Sequence, residues 1–316
     1  MSPSFRSTAV VGAGAVGSFF GAMLARAGHP VTLIARTAHA AAIERDGLRL
    51  QMAGRVETIR TAARTDIAAV RGADLVLFCV KSTDTEAVAR EMAPHLRDDA
   101  LVVSLQNGVE NAATIAREVL QVVVPAVVYV ATAMPEPGLV SHHGRGDLVV
   151  GPLDKNAAHD EALATRLQSL VDLFATAQVP VRISADVMAE LWSKLMVNCA
   201  YNAISGIAQA SYGDLTALAE VRSLQETVVR EVVALAEAEG VDLPLATALE
   251  SMRRIAGAMP AQLSSTAQDM ARGKPSEIDH LNGFVARRGA ALGVATAANQ
   301  ALHALVKLIK RGRGTA

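Results

Sequence analysis

Thr8-Ala9-Val10-Val11-Gly12-Ala13-Gly14-Ala15-Val16-Gly17-Ser18 decides the fold. Four β-prone residues run straight into Gly-x-Gly-x-x-Gly. Residues 18–27 then read as a helix, closed by Gly28 as a natural C-terminal glycine. Strand, glycine loop and helix in that order open a dinucleotide-binding unit. Gly12 permits the tight turn and Gly14 lets the backbone approach a pyrophosphate. Gly17 lets helix and strand pack closely, and the helix N-terminus meets the phosphate charge. Gly12, Ala13, Gly14, Ala15, Val16 and Gly17 are therefore candidate cofactor-binding residues. The competing reading of the same glycines is a tight turn with no ligand.

The next strand, Val31-Thr32-Leu33-Ile34-Ala35, ends on Arg36, and no acid follows until Glu44. A dinucleotide site that takes a ribose 2′-hydroxyl usually places Asp or Glu there, whereas an arginine suits a 2′-phosphate. Arg36 therefore points to NADP(H) over NAD(H). Asp74-Leu75-Val76-Leu77-Phe78-Cys79-Val80 reads as a buried parallel strand. Lys81 leaves its C-terminal end, where ligands of open α/β sheets bind. A helix is predicted over residues 85–96, and residues 101–105 form a strand that ends in Gln106-Asn107-Gly108. Asn-Gly alone is a turn signal, but at a strand C-terminus it also puts the Asn107 amide near a nicotinamide. A further strand is predicted over 122–130 and a hairpin over 139–150 around Gly144-Arg145-Gly146, with His142 and His143 solvated. A helix near 160–175 and a strand at 181–183 complete this half. Six or more strands with intervening helices imply a doubly wound sheet.

Composition bounds the rest. The 316 residues are 51% hydrophobic, 19% charged and only 3% aromatic, which describes a globular chain whose core is built from Ala, Val and Leu. A net charge of −1 with mixed signs suggests neither nucleic acid nor an anionic membrane as partner. Cys79 and Cys199 lie in separate apolar runs, so a disulfide scaffold is excluded in practice and a reducing cytoplasm fits. No paired Cys/His spacing indicates a metal. The longest apolar run, 119–134, is broken by Gln121 and Pro125 and is too short and β-branched for a membrane span. A strand by residue 8 is expected to leave no room for a signal peptide.

After Ser184 strand signals stop. Helices are predicted over 186–202, 221–239, 244–258, 278–292 and 296–309, with Asp186 as a plausible N-cap of the first. Lys194, Asn198 and Asn202 stand at i, i+4 and i+8 of that first helix. Each step of four turns a helix by about 400°, so the three share one shallow stripe. One cation and two neutral amides on a line suit a small polar anion, and a lysine there can protonate a carbonyl oxygen. Its competing reading is a solvated surface lysine, which Trp192 beside it weakens. Ser276 followed by Glu277 and Asp279 is close to a capping box, the plain reading of those acids. The organisation expected is a Rossmann-type NADP-binding domain over residues 1–184 and an all-helical substrate and catalytic domain over 185–316, whose apolar helices would suit a homodimer surface.

These residues together resemble the ketopantoate reductase family. The resemblance rests on the glycine loop, Lys81, Gln106-Asn107-Gly108 and the Lys194-x-x-x-Asn198-x-x-x-Asn202 stripe with Trp192 and Leu195. It also takes in Ser264-Ser265-x-x-Gln268-Asp269 and Glu277-Ile278-Asp279-x-x-Asn282-Gly283, and it runs in order over nearly the whole chain. It implies NADPH-dependent reduction of the 2-keto acid 2-dehydropantoate to (R)-pantoate, in pantothenate synthesis. It implies Lys194 as general acid and Asn198, Asn202 and Ser265 as substrate ligands. Asn107 would lie beside nicotinamide and substrate, Glu277 near the cofactor, and Ala131 at a backbone contact to the cofactor. Tyr212 stands where the family often has another substrate-binding asparagine. That departure keeps a reductase of a different branched 2-keto acid in play, beside a binding protein that senses NADP(H) without turnover.

Overall fold

In the computed structural model, which describes residues 5–313, the chain divides into two compact units that part between Val187 and Met188. The first unit is α/β. In chain order its elements are β1 (Thr8–Val11), α1 (Ala15–Arg26), β2 (Val31–Ile34), α2 (Thr37–Asp46), β3 (Leu48–Met52), β4 (Arg55–Ile59), β5 (Ala62–Arg64) and β6 (Leu75–Phe78). There follow α3 (Thr85–Met92), β7 (Leu101–Ser104), α4 (Asn111–Glu118), β8 (Val122–Glu136), β9 (Leu139–Val150), α5 (Glu161–Thr176) and β10 (Val181–Ile183). Strands β5, β2, β1, β6, β7 and β8 lie side by side and parallel, so the strand order reverses between β1 and β6. That reversal is the switch point at which open α/β sheets bind ligands.

β1, β6 and β7 are buried along their whole lengths, which is why they read as unbroken apolar runs. Their side chains still alternate between two cores. Val10, Leu33, Leu75, Leu77 and Leu101 pack with Phe19, Phe20 and Leu24 of α1 and Leu170 and Phe174 of α5. Ala9, Val11, Val76, Phe78 and Val102 pack with Ala89 and Met92 of α3 and Ile115 of α4. Helix α1 ends in a Schellman motif. Gly28 is at φ +86°, its N–H donates to the Ala25 carbonyl and the His29 N–H to the Leu24 carbonyl.

In this unit the 139–150 segment and three further strands depart from the sequence reading. The hairpin expected around Gly144-Arg145-Gly146 does not form. Residues 139–150 are one strand, β9, antiparallel to β8, and the chain turns at Gly138 instead. Gly144 and Gly146 take positive φ, as a turn would need, but they spend it on a bulge. There His142 stacks on Phe19 of α1 at 4.6 Å, so it is not simply solvated, and a Cβ on Gly146 would stand 3.2 Å from the Phe19 ring. Strands β3, β4 and β5 were not expected. β4 is an exposed edge with only Ile59 buried, so it lacks the apolar alternation that marks a strand.

The second unit is helical in its described residues: α6 (Val187–Ala208), α7 (Tyr212–Ala217), α8 (Ala219–Ala238), α9 (Leu245–Ala258), α10 (Ser265–Ala271), α11 (Asn282–Leu292) and α12 (Ala297–Arg313). α6 is its centre. Trp192 meets Phe284 of α11 edge-on, and the Tyr201 hydroxyl donates to the Met252 carbonyl of α9. Gln225 of α8 and Asn282 of α11 donate to the Ala200 and Cys199 carbonyls in mid-helix. A Cβ on Gly206 would come within 2.8 Å of Thr266 on α10. The single helix predicted over 278–292 is broken at Leu281 into a short 3-10 turn, Ile278–His280, and α11. The capping box expected at Ser276 and Asp279 is absent. The Asp279 carboxylate turns instead to α12, 2.6 Å from His303 and 2.8 Å from Lys307. The capping box that does form joins Ser211 and Asp214 at the start of α7. No described helix is long and apolar enough to cross a membrane.

Candidate active site

In the first unit the candidate cofactor residues gather at the C-terminal edge of the parallel sheet. Gly12 follows β1 at φ +80°, and a Cβ there would lie 2.7 Å from the Val80 backbone nitrogen. At Gly17 a Cβ would meet Val10 at 2.9 Å, the Gly12 carbonyl at 3.0 Å and Cys79 at 3.1 Å. Gly14 is different. The nearest atom to a Cβ there is 3.9 Å away, so the space beside it is open. Gly12 and Gly17 thus serve internal packing, and Gly14 leaves room for a ligand. The first helical bond of α1 runs from Ser18 N–H to the Gly14 carbonyl at 2.8 Å. The N–H groups of Ala15, Val16 and Gly17 precede it and remain as the donors that a helix start offers an anion. A dinucleotide pyrophosphate fits this set of groups.

Arg36 is exposed at the N-cap position of α2. Glu44, the first acid after β2, accepts from the Ala63 N–H at 2.6 Å and from Arg64 at 2.9 Å. These bonds, first of all the one from Ala63, hold its carboxyl below its ordinary range. Glu44 is therefore committed to β5 and does not supply the ribose-binding acid that position 36 lacks.

Lys81 and Asn107 leave neighbouring strands and are fixed by a buried polar network that sequence reasoning missed. Gln106 Nε2 donates to Thr85 Oγ1 at 2.7 Å and to the Val80 carbonyl at 3.0 Å. Thr85 Oγ1 donates to Asn111 Oδ1 at 2.9 Å, and Asn111 Nδ2 donates to the Asn107 carbonyl at 2.6 Å and to Ser82 Oγ at 3.2 Å. Gln106, Thr85, Asn111 and Ser82 are all buried. Only adjacency of the two strand ends brings these residues together, which spacing along the chain does not reveal. Ala131 lies on the part of β8 that runs beyond its pairing with β7, opposite Gly144.

In the second unit, Lys194 and Asn198 are half-buried on α6 and Asn202 is 3% exposed. Asn202 Nδ2 lies 3.4 Å from Ser265 Oγ, so the stripe is extended by the first residue of α10. The neighbouring Ser264 has the opposite duty. It is buried, caps α10 by accepting from the Ala267 N–H, and donates to the Asn202 carbonyl at 3.2 Å. Ser265 is left exposed. Glu277 is half-buried at the start of the 3-10 turn, and the Asp279 clamp anchors that turn to α12. Burial alone would raise the Asp279 carboxyl, but the hydrogen bonds from Lys307 and His303 hold it below its usual range. A Cβ on Gly283 would meet His303 at 2.8 Å, so this glycine makes room for the clamp. Tyr212 packs its ring on Tyr201 with centroids 4.6 Å apart, and burial pushes its hydroxyl up to about 12. Its ring belongs to the core of this unit and its phenol stays protonated at neutral pH. Burial also pushes the Cys199 thiol up, which leaves it no nucleophile. No group of three metal-ligating side chains occurs among the described residues.

The model of the family described as ketopantoate reductase PanE/ApbA matches residues 8–155, and that of its C-terminal part matches residues 186–310. The chain belongs to the ketopantoate reductase family. A 2-dehydropantoate 2-reductase of Halobacterium salinarum is 33% identical over 305 residues, which covers 96% of this chain and 98% of that one. One of Vibrio cholerae is 30% identical, with 96% and 97% covered. Among solved structures, a PanE/ApbA family ketopantoate reductase from Ralstonia eutropha superimposes with a TM-score of 0.89 at 53% identity, covering 98% of this chain and 99% of the other. The fold is also that of a D-mandelate dehydrogenase solved with NADH and anilino(oxo)acetate, at 23% identity and a TM-score of 0.88 over 97% and 99% of the two chains. The ketopantoate reductase family therefore includes this oxidoreductase, with a Rossmann-like nucleotide-binding half and a helical half.

Proposed function

We propose that the protein reduces 2-dehydropantoate to (R)-pantoate with NADPH. Residues 1–184 would form the cofactor domain and 185–316 the substrate domain. The observation that carries this reading is the Lys194, Asn198 and Asn202 face of α6, extended by Ser265. NADPH, when bound, supplies a hydride to the keto carbon. The residues of this chain do the rest. As charge grows on the C2 oxygen, the Lys194 ammonium stabilises it and donates the proton, a role that typically contributes about 10²–10⁴-fold. Asn198, Asn202 and Ser265 hold the carboxylate and hydroxyl of the keto acid and fix its orientation. The amides of Ala15, Val16 and Gly17 would hold the pyrophosphate, with Lys81, Asn107, Ala131 and Glu277 as further cofactor contacts. Arg36 would meet the 2′-phosphate, and the commitment of Glu44 to β5 supports NADPH over NADH.

Tyr212 favours a second reading, in which the same chemistry acts on another branched 2-keto acid, since a core-packed tyrosine replaces a polar ligand. One assay separates the two: oxidation of NADPH by the purified protein with 2-dehydropantoate, with 2-ketoisovalerate and with neither. Turnover on 2-dehydropantoate above both controls is expected. Turnover on 2-ketoisovalerate alone would move the substrate assignment, and absence of turnover on either would turn the reading to an NADP(H)-binding protein.

A further inference from the structure

His39 lies in the first turn of α2 and is 6% exposed, with both ring nitrogens bonded. The Gly138 N–H, in the turn between β8 and β9, points at Nδ1 from 2.8 Å. A backbone N–H can only donate, so Nδ1 carries the lone pair and the neutral ring holds its proton on Nε2. Nε2 lies 2.9 Å from Ser18 Oγ, which must then accept. The Ser18 hydroxyl, fully buried, passes its own proton to the Ala13 carbonyl at 3.1 Å. All three links therefore run one way: Gly138 N–H to His39, His39 to Ser18, Ser18 to Ala13. The last acceptor is a peptide of the glycine loop. The ring also sits three residues after Arg36, whose carbonyl accepts from the His39 N–H at 3.0 Å. Gly138 is itself held, through its carbonyl, by the Arg49 N–H at 2.8 Å.

We propose that His39 is a positioning residue for the cofactor, a buried strut that sets the Ala13–Gly14 peptide and the Arg36 corner from the β8–β9 turn. It touches no cofactor atom. It fixes the direction of the loop carbonyl, and with it the direction of the free amides that follow at Ala15, Val16 and Gly17. This inference rests on reading the glycine loop as the pyrophosphate site.

Three substitutions divide the strut. His39→Asn keeps an oxygen near the Nδ1 position for the Gly138 N–H but does not reach Ser18. His39→Gln extends an amide donor towards Ser18. Ser18→Ala cuts the link from the other side and leaves the ring on Gly138. NADPH binding is followed by cofactor fluorescence with the full-length protein, and kcat is measured at saturating NADPH. Loss of one or two buried hydrogen bonds predicts a Kd about tenfold higher for His39→Asn and Ser18→Ala. The His39→Gln variant is expected to recover part of that loss, with kcat within about twofold throughout. The preference for NADPH over NADH should fall in step, because Arg36 shifts with the strut. Unchanged Kd in folded His39→Asn and Ser18→Ala overturns the proposal. So does an equal loss in the Asn and Gln variants that merely follows their melting temperatures, which would make the ring packing alone. Should His39→Asn fail to fold, Ser18→Ala decides by itself. Failure of the unsubstituted protein to bind NADPH would instead overturn the glycine-loop reading, and the strut with it.

Discussion

Asn202 Nδ2 reaches Ser265 Oγ at 3.4 Å, joining two residues 63 apart in the chain. The contact is long, so neither group is used up by the other. Each keeps capacity for a third partner, as the proposed role of substrate ligand requires. Ser265→Ala is expected to raise KM for the keto acid about threefold to tenfold and to leave NADPH affinity unchanged. A steady-state KM beside a Kd from fluorescence checks it, and a loss confined to NADPH binding would remove Ser265 from the substrate site.

Lys194→Ala should lower kcat by roughly 10²–10⁴ while NADPH binds as before, because the proposed proton donor would act on charge that develops only in the transition state. Equal losses in kcat and in NADPH affinity would count against a proton donor.

Arg36→Ala should weaken NADPH binding and leave NADH binding nearly as it was, since the guanidinium is exposed at the start of α2 and Glu44 is held on β5. The ratio of kcat/KM for the two cofactors is the readout. If that ratio does not move, the 2′-phosphate lies elsewhere.

The glycines of the loop should separate by role. Gly14→Ala adds a Cβ with nothing nearer than 3.9 Å, so the protein should melt at its usual temperature yet bind NADPH poorly. Gly17→Ala drives a Cβ to within 3.1 Å of three neighbours and should cost about 1–3 kcal/mol of stability. Thermal melts beside NADPH titrations distinguish the two.

Stability should fall in mild acid. Burial lowers His39 and His29 below 6.5, against a smaller opposite pull on His29 from Asp74. A depressed histidine is neutral in both states above 6.5. Below that value the unfolded chain takes up the proton first, so stability is lost as pH drops from 6.5 towards the folded values. Denaturant melts between pH 7.5 and 5 should show the decline, and His39→Asn should make it shallower. An identical slope in the two proteins would mean that His39 does not titrate in this window.

The parallel strands and the glycine loop were legible because their signals are local: an apolar run followed by glycines at fixed spacing. The α6 stripe was legible for the same reason, since helical periodicity alone puts Lys194, Asn198 and Asn202 on one face. What was not legible depends on pairing between distant segments. Gly144-Arg145-Gly146 carries the same dihedral signal whether it turns or bulges, and the partner strand β8 decides. Asp279 looks like a cap acid until α12 brings His303 and Lys307 to it. His39 and Ser18 give no motif, because their bond spans 21 residues and a turn near residue 138.

In the second unit Glu231 of α8 accepts from the Ala298 and Asn299 N–H groups at the start of α12, and from Asn299 Nδ2 at 2.7 Å. Asn299 Oδ1 accepts from Asn282 Nδ2, and Asn282 donates also to the Cys199 carbonyl, next to Asn198. The end of the chain is thereby wired to the middle of its central helix through three side chains. A protease that clips the segment after Gly293 would remove no candidate ligand, yet it would strand the half-buried Glu231 carboxylate and the buried Asn282 amide, which bonds one residue from the candidate stripe. Loss of α12 would thus be felt at Cys199, the residue beside Asn198, although no candidate ligand lies beyond Gly293.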